Sequence, residues 1–402
     1  MKKMLYPVRD QLVLILLSLP LGAATGAVCA LFGRVLLLIT DFRSEHYLFL
    51  LPFLGVAGAA LVWCYGKFGG DAGKGMSLLY EVDQNKRTKT PLRLVPMVIA
   101  STWITHLFGG AAGREGVAVQ IGGVLGNQLG SRIKIADAGR LMMIAGMAAG
   151  FGGLFRTPIA AAFFSVEVLT VGALELSALL PSLTAAYTAC FVSGALGLGK
   201  FTVNVASEAE LNLLTALKLV ILGLAFGLIG RLFSHALAML KRRFAAWIPN
   251  PVARIAGIGT VVGLLSVLGF GGRYSGLGTN LISAGFSGGI LPWDFIAKLL
   301  FTVITLAAGF YGGEVTPLFS IGVSLGCVMA ALLGLPAELC AALGYAAVFG
   351  SATRTLIAPI CIGLEVFGFG HLPMLMIVCA AARLCSGKYS IYSLQRVLTR
   401  EK

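Results

Sequence analysis

A chain of 402 residues could fold as two or three soluble domains, yet 57% of its residues are hydrophobic and only 12% are charged, against about 25% charged in an ordinary globular protein. With a mean hydropathy of +0.90 it cannot cover a water-facing surface, so composition excludes the soluble classes and points to an integral membrane protein. The formal charge of +14 lies in short clusters flanking apolar runs, which is the pattern of cytoplasmic loops and not a nucleic-acid footprint.

The first cluster, Lys2, Lys3 and Arg9, precedes an apolar run with small residues at 22–27. That start has the look of a secretory signal, but the run continues through Leu38, long enough to span a bilayer, so it reads as a retained span. Further long apolar stretches cover 48–66, 91–109, 178–199, 212–240 and 252–270. Shorter ones cover 117–130, 139–155, 157–174, 280–292, 296–312, 316–334, 337–350, 353–369 and 372–385. Many of these cannot cross about 30 Å of hydrocarbon as straight helices. Glycine or proline interrupts most of them, and the chain has 53 glycines. Short broken segments in tandem line polar pathways near the midplane, because unpaired backbone is tolerated there. Aromatic girdles and ten-residue polar alternation are absent, which argues against a barrel. The expected class is an all-α integral membrane protein of many tilted, broken helices.

An internal repeat organises these segments. Gly146–Val168 aligns with Gly344–Val366 at a constant offset of 198, with 11 of 23 positions identical, among them Arg156/Arg354, Thr157/Thr355 and Glu167/Glu365. At nearly the same offset Gly113-Arg114-Glu115 faces Gly312-Gly313-Glu314. The chain therefore divides into halves at about 11–200 and 212–392, joined by a polar stretch near Asn204–Asn212, within one transmembrane domain. Basic residues precede the first segment of half one but follow its counterpart in half two, at Lys241, Arg242 and Arg243. If both clusters are cytoplasmic, the halves are inverted, and inverted repeats place a substrate site at their interface.

Seventeen acids is a small number, so each one within an apolar run is informative. Glu115 follows a glycine hinge that opens an apolar helix, where exposed amides attract anions. It can occupy an anion site itself and leave when protonated, or serve as an interfacial helix charge. Glu314 is its repeat counterpart, again where glycines lead into a helix. Glu167 and Glu365 read as helix-end or interface hydrogen-bonding groups, and Arg156 and Arg354 as partners of those acids or of carbonyls. The eight cysteines form no CxxC and read as single buried thiols, and the four histidines give no metal-site spacing, so neither a metal nor a cofactor is expected.

GREGVAVQ (113–120), GGEVTPLF (312–319), the Gly-Lys-Gly-Met turn (73–76) and the late Tyr392 together resemble the CLC family of anion channels and transporters, over essentially the whole transmembrane chain. The resemblance implies a fold of two inverted-topology repeats with broken helices. It implies Glu115 as the gate, with Glu314 as a second proton-handling carboxylate. It places Met76, Gly113, Arg114, Gly116, Val117, Val315, Thr316 and Tyr392 along the anion pathway. Chloride-type members usually carry Gly-Ser-Gly-x-Pro in the turn and Gly-x-Phe-x-Pro in the second motif, and exchangers often add an acid after the one matching Glu167. Here the residues are Met76, Glu314-Val315-Thr316-Pro317 and Val168, which resembles the fluoride-exporting branch. Some members of that branch place phenylalanines shortly after the methionine, where this chain has Leu79 and Val82.

The implied function is secondary transport of fluoride out of the cell in exchange for protons, with a chloride/proton exchanger or passive anion channel as the alternative. Fluoride is small and strongly hydrated, so stripping its water demands strong donors in a low-dielectric site, and protonated Glu115 and Glu314 with the Thr316 hydroxyl supply them. The resemblance also implies a homodimer in the cytoplasmic membrane with lipid around it and no nucleic-acid partner. About ten residues follow Tyr392, so no cytoplasmic regulatory domain is expected. An intramembrane serine protease would need a nucleophile near a histidine. Ser131, Ser165 and Ser320 lack that setting and His106 has no evident partner in the sequence, so no enzyme is expected.

Overall fold

The computed structural model describes residues 7–205 and 209–398. Lys2, Lys3, Arg400 and Lys402 of the basic clusters, and part of the polar stretch between the halves, lie outside the described residues. The first half comprises α1 (Val8–Glu45), α2 (Tyr47–Leu50), α3 (Leu54–Cys64), α4 (Ser77–Asp83), α5 (Leu94–Leu107), α6 (Glu115–Gly130), α7 (Ala138–Phe155), α8 (Pro158–Glu167) and α9 (Leu179–Ala195). The second half comprises α10 (Leu213–Trp247), α11 (Pro251–Leu268), α12 (Thr279–Ser287), α13 (Asp294–Ala308), α14 (Val315–Leu333), α15 (Ala337–Thr353), α16 (Ile357–Phe367) and α17 (Leu372–Cys385).

Among the described residues, seven helical stretches are long and apolar enough to cross a bilayer, including α1, α10 and α11. Others fall short: α6, with 16 residues, reaches about 24 Å. Such helices must end inside the hydrocarbon layer, where their unpaired amides need partners from the protein.

Glycine sets the packing of the centre. A methyl group on Gly122 of α6 would lie 1.9 Å from the Gly146 carbonyl oxygen of α7, and one on Gly322 of α14 would lie 2.0 Å from that of Gly344 of α15. The two helix pairs therefore touch backbone to backbone at equivalent places, as small residues permit in membranes. Residues Leu141–Phe155 of α7 and Leu339–Thr353 of α15 are all buried, so these two helices form the middle of the molecule.

Short helices are capped across the halves. The Glu167 carboxylate, at the end of α8, accepts from the amides of Leu356 (2.5 Å), Ile357 (3.1 Å) and Ala358 (3.0 Å) at the start of α16. The Glu365 carboxylate, on α16, accepts from Ile159 (3.2 Å) and Ala160 (2.7 Å) at the start of α8. Each acid thus satisfies orphan donors of the other half's helix, which is the helix-end role expected of this pair. Arg156 and Arg354 adopt left-handed conformations, φ 59° and 61°, closing α7 and α15. They reach the carbonyls of Leu198 and Lys388, and no ion pair joins them to these acids among the described residues.

Reciprocity extends to the centre, where Gly113 and Gly313 exchange two backbone bonds of 2.5 and 2.8 Å as an antiparallel bridge. Loops equivalent in the sequence repeat thus meet antiparallel, and the short helices cap one another reciprocally. A short parallel pairing of β1 (Thr170–Val171) with β2 (Arg396–Val397) ties the last segment to the first half. Gln395 adds bonds to the carbonyls of Val168 (2.7 Å) and Thr353 (2.9 Å), and this fixes the segment carrying Tyr392.

Candidate anion pathway and gate

The residues singled out from sequence fall into two layers around the Gly113–Gly313 bridge. The sealed layer holds Glu115, Gly113, Val117, Val315 and Thr316, all buried. Gly109 turns the chain with φ 83°, and the loop 110–114 delivers Glu115 as the first residue of α6. A side chain on Gly113 would lie 2.9 Å from Pro317 Cδ, so the two helix starts approach only because this position is glycine.

Glu115 is fully enclosed. Its Oε2 accepts from the Thr316 backbone amide (3.1 Å), from the Arg114 amide (3.2 Å), and from the Thr316 hydroxyl. Three donors converge on one oxygen, from both halves. The other oxygen, Oε1, has no hydrogen-bond partner among the described residues; its nearest cation is Arg114 Nε at 3.6 Å. The carboxylate therefore sits where a small anion would be held, at the facing starts of α6 and α14, whose dipoles favour negative charge.

Below this seal is a cavity of about 570 Å³ lined by Met76, Gly116, Gln120, Glu314 and Tyr392. Met76 stands at the N-terminal boundary of α4, placed by the turn at Gly75, φ 54°. Tyr392 is buried with its hydroxyl unpartnered among the described residues, and its ring lies 5.9 Å from that of Tyr80. Arg114 is partly buried beside Glu115.

The two repeat-related glutamates differ in setting. Glu314 precedes α14 as its cap residue, is only partly buried, and lines the cavity, whereas Glu115 begins its helix and is sealed. The one-residue offset turns one carboxylate into the seal and the other into the cavity wall. Leu79 is buried against Gly123, whose added methyl would meet it at 2.7 Å, so that side chain packs behind α6. The aromatic surface of the cavity comes instead from Tyr65, Tyr80, Phe310, Tyr311 and Tyr392.

Gln120 was not singled out from sequence, although it ends the GREGVAVQ motif. One turn beyond Gly116, it donates to the Gly116 carbonyl (3.2 Å) and leaves Oε1 unpartnered; a lone polar residue in an apolar helix was the available signal. Lys241 and Arg254 also line this cavity, from helices distant in sequence, and give its mouth a positive field that attracts anions. At its rim Lys74 pairs with Glu81 (3.1 Å), and Arg87 pairs with Asp71 (2.5 Å) and Glu81 (3.1 Å). Asp71 foremost holds the Arg87 guanidinium above its ordinary pKa range.

The sequence model of the family described as "Voltage gated chloride channel" matches residues 57–387. The "Chloride/fluoride channel protein" of Pseudomonas syringae pv. tomato is 38% identical over 384 residues, which is 92% of this chain and 84% of that protein. The "H(+)/Cl(-) exchange transporter ClcA" of Citrobacter koseri is 26% identical, over 100% of this chain and 92% of its own. Among solved structures, one described as a CLC-type fluoride/proton antiporter superposes with a TM-score of 0.96 at 49% identity, covering 98% of this chain and 100% of that one. A slow cyanobacterial Cl⁻/H⁺ antiporter gives a TM-score of 0.79 at 20% identity, covering 95% of each chain, which shows the fold alone.

Proposed function

Because the chain belongs to the voltage-gated chloride channel family, we propose that it is a multi-pass membrane transporter that exports fluoride across the cytoplasmic membrane in exchange for protons. The observation that carries this reading is the Glu115 carboxylate, held by donors from both halves above a cavity lined by Met76 and Glu314. The relatives named for fluoride support the choice of ion.

The chemistry follows from one seat with two claimants. Fluoride enters the inner cavity, drawn by Lys241 and Arg254, and exchanges water for protein donors stepwise past Tyr392, Met76 and Gln120. Ionised Glu115 blocks the seat. A proton arriving from outside removes the charge that the two amides and the Thr316 hydroxyl hold, so the carboxyl leaves and fluoride takes those donors. Release of fluoride outward and of the proton inward resets the gate. Glu314, on the cavity wall, serves as the inner proton-handling group and, when neutral, as a donor to the ion. Gly113, Gly116, Val117 and Val315 shape the passage with their backbone, and Arg114 steadies the gate. The halves 11–200 and 212–392 act as the inverted repeats about this point, and two copies form the homodimer.

The test is ion efflux from liposomes containing the purified protein, with internal fluoride or chloride and a record of pH. Fluoride should leave far faster than chloride with protons moving oppositely. Equal efflux of the two ions would favour the chloride/proton exchanger or passive channel, and no proton movement would favour the channel.

A further inference from the structure

A second cavity, of about 250 Å³, shares no lining residue with the first. It sits at the C-terminal end of α1, whose 38 residues span about 57 Å, and so faces outward if the basic start of α1 is cytoplasmic. Its wall includes Arg43, Tyr47, Arg273, Ser275, Thr279 and Asn280, and no acid.

The charges here are unbalanced. Arg273 is neutralised by Asp294, at 2.9 and 2.5 Å. Arg43 is 7% exposed and donates to the His106 carbonyl (3.1 Å), but no carboxylate pairs with it among the described residues. Lys298 is fully buried behind the cavity wall and donates only to the carbonyls of Tyr274 (3.0 Å) and Gly276 (2.7 Å). Arg43 thus borders the cavity with Asp41 near enough to act on it through space but with no carboxylate in contact among the described residues, and burying an incompletely paired ion is costly. Ser275, 3% exposed and on the cavity wall, has a buried hydroxyl with no partner among the described residues.

Gly276-Leu277-Gly278-Thr279 opens α12 as Gly73-Lys74-Gly75-Met76 opens α4, but the backbones differ: Gly278 is left-handed (φ 87°, ψ 18°), whereas Gly75 has φ 54° and ψ −128°. Neither side of the Gly276 turn has room for a side chain: an added methyl would come within 2.1 Å of Arg43 Nη1. The cavity also communicates with the gate through named contacts. Arg43 holds the carbonyl of His106, and the His106 ring contacts the Ala112 carbonyl at 2.9 Å in the loop that carries Glu115. Gly278 packs on Ser320 of α14, one turn after Thr316.

We propose that this cavity is an outer binding site for a small monovalent inorganic anion, held by Arg43 and the Ser275 hydroxyl. The volume exceeds that of a bare halide, so the ion keeps part of its water. A site of that kind discriminates weakly between fluoride and chloride, unlike the dry seat at Glu115. The inference goes beyond the transport reading and does not depend on which ion crosses.

The test is calorimetric titration of the purified, detergent-solubilised protein with sodium chloride, and separately with sodium phosphate, in wild type, Arg43→Gln and Ser275→Ala. Chloride should bind wild type. Loss of one hydrogen bond to a charged ligand should weaken it about tenfold in Ser275→Ala, and loss of the cation should weaken it further in Arg43→Gln. Ser275→Ala, which removes only an unpartnered hydroxyl, keeps the test valid should Arg43→Gln fail to fold. Absence of chloride binding in wild type, or unchanged binding in Ser275→Ala, overturns the proposal. Binding of phosphate but not chloride also overturns it, in favour of a lipid headgroup. If wild-type liposomes moved no fluoride, the transport reading would fail and this isotherm would still stand or fall by itself.

Discussion

Thr316 is the residue at which the competition between carboxylate and ion can be measured. Thr316→Val replaces the hydroxyl by a methyl group of nearly equal shape in a buried site. It leaves Glu115 Oε2 with the two backbone donors, at 3.1 and 3.2 Å. A hydrogen bond to a charged group is worth about 1.5–3 kcal/mol, roughly 10- to 150-fold in affinity. The effect depends on which claimant holds the seat. On the proposed mechanism acid external pH favours the displaced carboxyl, so that fluoride binds a free seat and the lost donor raises its apparent KM by that whole factor. At alkaline pH fluoride must displace an ionised carboxylate that has lost the same donor, so the two losses largely cancel and KM changes little. The assay is initial fluoride flux against fluoride concentration in liposomes at two external pH values, with Thr316→Ser as the control that keeps the hydroxyl. A KM unchanged at acid pH, or raised equally at both, would refute the idea that ion and carboxylate share this donor.

Glu115→Gln carries no charge and releases no proton, so proton-driven uphill fluoride movement should stop; uphill pumping in this variant, measured under imposed pH gradients, would sink the gate assignment. Glu314→Ala should abolish or sharply slow fluoride turnover with the protein still folded by size-exclusion profile, and a wild-type rate would reduce Glu314 to a structural charge. Gly122→Ala places a methyl group 1.9 Å from a backbone oxygen and should destabilise by about 1–3 kcal/mol, read as a lowered thermal midpoint. Gly257→Ala, which meets nothing within 4 Å, should leave that midpoint unchanged or slightly raised, and a matching loss in both would discredit the backbone-contact argument.

Composition and repetition determined much of this protein before any coordinates. Fifty-seven per cent apolar residues with 12% charged leave no soluble option, because hydrocarbon penalises every unpaired polar group. The match of Gly146–Val168 to Gly344–Val366 makes two like halves, and a fixed glycine followed by an acid marks a helix start in each. Glu167 and Glu365 were legible as helix-end or interface groups from their equivalence in the repeat, although the amides they hold lie in the other half. What sequence could not supply was the partner across the interface. Thr316 lies 201 residues from Glu115, and only the antiparallel meeting of Gly113 with Gly313 brings its hydroxyl to that carboxylate. The differing fates of Glu115 and Glu314 depend on a one-residue difference in where each helix begins, which a repeat alignment treats as equivalence. Gln120, Lys241 and Arg254 join one cavity from three helices, and Arg43 of α1 meets Ser275, which precedes α12, in another. Periodicity along a chain reports which face of a helix is apolar, whereas the facing of polar groups from distant segments is fixed by packing, and here by glycines that let backbones touch.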